Sequence, residues 1–136
     1  MQKSIGDVSK EIGVSIHTLR YYEKIGLLPH ITKDEGGRRR YEPKDIDRVR
    51  FIKRAKRMKF SLSEIHQLIR IETAELIDKP QAQKLISEKL QEVEQGLIDL
   101  MNLKKDLSGM LNACFKSGDN HDCPIIESIK DNKETP

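Results

Sequence analysis

Apolar side chains recur between residues 86 and 114 in steps of four and three: Ile86, Leu90, Val93, Leu97, Leu100, Leu107, Leu111 and Cys114, with Lys104 at the missing beat. Alternating steps of this kind hold one stripe on one side of an α-helix, and about four heptads of it make a coiled-coil pattern. Such a helix is roughly 50 Å long at 1.5 Å per residue. Nothing else in the 136 residues reads as a second long helix on which the stripe could be buried. The simplest partner is the same helix from another copy, so the pattern predicts a homodimer. The alternative is a helix folded back on its own head domain.

Composition agrees with an elongated design. Apolar residues are 36% of the chain, charged residues 35% and aromatics 4%, with no Trp, which suits long exposed helices better than one large core. The formal charge of +3 hides a division. Residues 1–60 hold 16 Lys+Arg against 8 Asp+Glu, whereas residues 61–136 hold 9 against 14. A basic head on an acidic body is what nucleic-acid binding produces, because phosphate contacts supply most of the affinity. No stretch approaches the ~20 apolar residues of a membrane span, and MQKSIGDVSK lacks the apolar core of a signal peptide. A cytoplasmic protein is expected, with no membrane partner. There the two cysteines, Cys114 and Cys123, would be kept as thiols. No paired carboxylates, phosphate-cradling glycine loop or nucleophile–base set suggests an enzyme.

Local signals divide the head. Ser4 can cap a helix over residues 5–12 that Gly13 ends, and Ser15 a second over 16–24 that Gly26 and Pro29 stop. Ile5, Val8, Ile12, Ile16 and Leu19 offer apolar positions for packing the pair, the outline of a helix-turn-helix. The next stretch, HITKDEGGRRRY, reads as a small hairpin or loop. Its consecutive Arg38, Arg39 and Arg40 repel one another unless an anion is near, and phosphate is the natural candidate. Pro43 opens a third helix to about Met58. Ser61 and Glu64 then form a capping box for a fourth, ending near Arg70. Residues 71–79 make a connector, 80–113 the long helix, 114–130 a cysteine loop and short helix opened by Pro124, and 131–136 a disordered tail.

Together the segments IGDVSKEIGVSIHTLRYYEKIGLL, GGRRRY, FIKRAKRMKFSLSEI and the cysteine loop followed by CPIIESI resemble the mercury-resistance-regulator (MerR) family, nearly end to end. The resemblance implies a mainly α protein: a winged helix-turn-helix head occupying residues 1–70, a long antiparallel dimerising coiled-coil helix, a metal loop and a short C-terminal helix. It implies a regulator that sits on double-stranded promoter DNA with RNA polymerase and, on binding metal, bends and untwists the DNA to realign promoter elements. By position, His17 and Thr18 would reach base edges from the second helix. Arg20 and Tyr21, with Arg38, Arg39, Arg40 and Tyr41 of the wing, would grip phosphates and set register. Tyr22 and Leu19 read as core.

Cys114 and Cys123 would then be the metal ligands, and the identity of the ion divides two cues. Divalent-ion sensors of the family use a third cysteine on the partner's long helix, and the family's spacing places Lys79 there. Two thiolates suit linear coordination of Cu(I), Ag(I), Au(I) or Hg(II); with a monovalent ion the centre is negative, and Lys79 and the last helix's N-terminus could offset it. Zn(II) or Cd(II) normally needs four ligands, which Asp119, His121 and Asp122 could complete. The eight-residue loop is closer to that of divalent sensors. The missing cysteine tips the expectation slightly towards Cu(I) or Ag(I), over a divalent ion such as Zn(II), Cd(II), Pb(II) or Hg(II). Two further readings are a thiol pair that responds to oxidants instead of metal, and a non-regulatory metal buffer or coiled-coil scaffold with an incidental basic end, against which the GGRRRY wing and the helix-turn-helix punctuation argue.

Overall fold

The protein, a computed structural model, is described over residues 2–116, 118 and 123–130. Its elements are β1 (Lys3–Ser4), α1 (Ile5–Ile12), α2 (Ile16–Lys24), β2 (Thr32–Lys33), β3 (Arg39–Tyr41), α3 (Pro43–Arg57), α4 (Leu62–Thr73), α5 (Lys79–Lys116) and α6 (Pro124–Lys130). They divide into two units, Met1–Ile86 and Ser87–Pro136. No described helix is long and apolar enough to cross a membrane.

The helix ends follow local chemistry. Ser4 and Ser15 stand in extended backbone and accept from the N–H groups of Asp7 and Thr18, satisfying donors that a first turn leaves unpaired. Gly13 closes α1 in the left-handed region (φ 80), where its N–H reaches Ser9 O and a side-chain Cβ would be strained. α3 opens with Pro43 behind a capping box between Glu42 and Asp45, and α4 with the expected box of Ser61 and Glu64. α4 runs on to Thr73, and α5 starts at Lys79, where Asp78 accepts from Gln81 N at 3.1 Å.

One core holds the first unit. Val8, Leu19, Leu27, Tyr41, Val49, Ile52 and Ile65 are all at most 1% exposed, and each large side chain so buried contributes about 1.5–3 kcal/mol. α1 and α2 pack as the helix-turn-helix, with Ile16 left at the surface rather than between them (38% exposed). Phe60, between α3 and α4, is a core residue too. The sheet has the order β1-β3-β2, antiparallel throughout, pairing Lys3 with Tyr41 and Thr32 with Arg40. The polar loop is therefore a β-wing, extended by a strand from the start of the chain.

The second unit carries most of α5, whose stripe lies bare. Ile86, at the end of the first unit, and Leu90, Val93, Leu97, Leu100, Leu107 and Leu111 are 44–64% exposed. α6 lies beside Gly109 and Ala113 of α5, with Pro124 and Ser128 facing that stretch.

Candidate nucleic-acid interface and metal site

Helical periodicity sorts α2 into two faces. Leu19 and Tyr22 are buried as expected, while His17, Arg20, Tyr21 and Lys24 are exposed on the other side. Lys24 was not singled out from sequence, although a spacing of three or four from Arg20 and Tyr21 puts it in the same row. Thr18 is half-buried, and its hydroxyl accepts from Ser15 Oγ at 2.8 Å, so that side chain serves the cap as well as the surface.

The wing is organised by two carboxylates. Asp34 accepts from Arg38 N at 2.9 Å and pairs with Arg40 Nε at 3.1 Å. The Arg38 N–H is the main cause holding the Asp34 carboxyl below its usual range; burial opposes it, and the Arg40 guanidinium adds to the lowering. Gly37 makes the turn possible at φ 78. On the other face of β3, Glu23 of α2 takes Arg39 Nε on both carboxylate oxygens, at 2.9 and 2.8 Å. Arg38 is exposed, Arg39 and Arg40 only in part.

Tyr41 departs from expectation. It is fully buried, and its hydroxyl donates to Glu23 Oε2 at 3.3 Å, so its ring cannot lie against a phosphate. Burial, then the neighbouring Glu23 carboxylate, pushes the phenol far above its ordinary pKa, and the group stays neutral. Tyr41 is a core anchor for the wing. Against the end of α1, α3 turns Arg50, Arg54 and Arg57 outward, with Arg50 paired to Glu11 at 2.9 Å and Lys53 donating to the carbonyl of Ile12. A basic surface of this kind can bind polyanions.

In the second unit Cys114 sits near the end of α5 and Cys123 just before α6, where its carbonyl accepts from Glu127 N at 3.0 Å. Both are half-buried and neither is in a disulfide. No cluster of three or more His, Cys, Asp or Glu able to hold a metal occurs among the described residues. Asp119, His121 and Asp122, and the tail 131–136, lie outside them. Lys79 occupies the first position of α5, in the first unit.

Residues 3–71 match the MerR HTH family of regulatory proteins, and residues 46–110 match the MerR DNA-binding family. The chain belongs to the MerR family. Its winged helix-turn-helix head, long helix and short final helix are the fold of MerR-family structures, and it is a regulator of that class, not an enzyme. A mercuric resistance operon regulatory protein of Serratia marcescens is 39% identical over 131 residues, covering 96% of this chain and 90% of the relative. Among solved structures, the lead(II) complex of a transcription regulator from Ralstonia metallidurans aligns with a TM-score of 0.79 at 26% identity, covering 93% and 98% of the two chains. A MerR-family regulator that lacks the sensor domain, solved bound to promoter DNA, aligns at 0.59 and 26%, covering 85% and 87%.

Proposed function

We propose that this MerR-family protein is a metal-responsive regulator that works in the cytoplasm as a homodimer on promoter DNA, together with RNA polymerase, and switches on metal detoxification genes by distorting the promoter. The observation that carries the metal reading is the pair Cys114 and Cys123, two half-buried thiols outside any disulfide, one near the end of α5 and the other just before α6. The exposed row His17, Arg20, Tyr21, Lys24 and the wing arginines Arg38 and Arg40 supply the DNA face, and the bare leucine stripe supplies the dimer seam.

Two thiolates favour ions that accept linear coordination, among them Hg(II), Cu(I) and Ag(I). The relative named for mercuric resistance supports Hg(II), which fits both a divalent sensor and a two-cysteine chain. Cu(I) or Ag(I), favoured by the cysteine count alone, is the second reading; a partner's Lys79 would offset the negative charge of such a centre. His121 is the donor to test if Zn(II) or Cd(II) proves the tighter ligand.

The test is in vitro transcription under a competing chelator, with reduced protein titrated with Hg(II), Cu(I), Ag(I), Zn(II) and Cd(II). Cys114→Ser and Cys123→Ser should each abolish the metal response and leave DNA affinity unchanged. Activation by metal that survives the double substitution would end the metal reading. Activation by oxidant without metal, with a Cys114–Cys123 disulfide, would replace it with a redox switch. A response at lower free Cu(I) than Hg(II) would reverse the order of the two ions.

A further inference from the structure

Glu23 is an acidic side chain on the last turn of the helix that offers Arg20, Tyr21 and Lys24 to DNA, inside a head that is otherwise strongly basic. A carboxylate there repels phosphate unless something uses its charge. Its side chain is only 16% exposed, and it receives Arg39 Nε on both oxygens and the Tyr41 hydroxyl on one. Hydrogen bonds in which both groups are charged are among the stronger ones a protein makes. Arg39 and Tyr41 are alternate residues of β3, so they share the strand face that meets α2. Three strands of two or three residues give the wing little stiffness of its own.

We propose that Glu23 is a positioning residue that locks the wing to the recognition helix, so that the contacts of α2 and those of the wing meet DNA at one fixed spacing. The inference rests on the DNA-binding reading above. Phosphate contacts carry register rather than sequence. A wing held at a fixed distance from α2 accepts only duplexes whose grooves and backbone present phosphates at that distance. A wing released from α2 finds phosphates on any sequence, and Arg39 is released with it as an additional cation. Glu23 therefore contributes to discrimination and costs affinity.

The test uses the full-length protein, a duplex enriched by the wild type from a random-sequence pool, and a scrambled duplex of equal length. Glu23→Gln keeps the shape and one acceptor but removes the charge. It should steepen the log–log salt dependence by about 1, the signature of one more phosphate contact. It should also lower the ratio of selected to scrambled affinity by roughly tenfold, the scale of one lost base-pair match. In an Arg39→Gln background the same change should do neither. If it steepens the slope equally there, Glu23 acts only as a bulk charge and the proposal falls. It falls too if slope and ratio both stay at wild-type values in the single variant. Should Glu23→Gln lose its helical circular dichroism, Arg39→Lys carries the test, because it keeps the cation and loses the planar fork. A wild-type ratio in Arg39→Lys would overturn the clamp. A wild-type protein that does not prefer the selected duplex would show instead that the DNA-binding reading had failed.

Discussion

The three consecutive arginines of the wing are not equivalent. Arg40 faces Asp34 and Arg39 faces Glu23, each within ion-pair distance, while the Arg38 side chain is exposed. If DNA binding is read through its salt dependence, Arg38→Ala should flatten the log–log slope by about 1, and Arg40→Ala by distinctly less because Asp34 already neutralises it. Equal slopes for the two variants would show that the carboxylates do not sort them. Sequence could show the density of charge but not this division, since Glu23 meets Arg39 only through the fold. The resemblance places Tyr41 among the phosphate-gripping wing residues, and position alone does not say which way a wing residue faces. The strand's period of two turns Tyr41 and Arg39 inward and Arg40 to the other face.

What could be read from sequence was whatever is written locally. Ser4, Gly13, Ser15, and the pair Ser61 and Glu64 act within one turn of their own helices, and the structure has helices there. β1 could not be seen, because a two-residue strand is defined by its partner and not by its own composition. The long helix was legible by period, with one revision. From Leu100 the apolar residues also run Leu103, Leu107, Met110, Cys114, again in steps of three and four, and this row bypasses Lys104. Leu103 is 51% exposed in the single chain, and Met110 and Cys114 are half-covered. If the dimer seam takes that row, Leu103→Ala should weaken dimerisation by about 2 kcal/mol, as for a truncated packed leucine. Lys104→Ala should leave it unchanged. Sedimentation equilibrium of both variants decides between the rows, and a dimer unchanged by Leu103→Ala but tightened by Lys104→Ala would restore the original one.

For the molecule as a whole, the exposed leucines of α5 are the proposed dimer seam. Contiguous apolar surface on this scale is uncommon on monomers, and replacing Leu97 and Leu100 together with Lys should give monomers, as measured by sedimentation, with weakened binding to any two-half-site operator. A variant that remained dimeric would move the interface elsewhere. The pairing of Lys3 and Ser4 with Tyr41 and Arg40 has a separate consequence, for the order of events during synthesis. The first strand has no neighbour until the ribosome has delivered the third, so the wing is a late product of a head whose helices can form early from contacts close in sequence. Pulse-labelled hydrogen exchange during refolding should find the amides of α1 and α2 protected before those of Arg39 to Tyr41. The opposite order would mean that the hairpin, and not the helix pair, nucleates the domain.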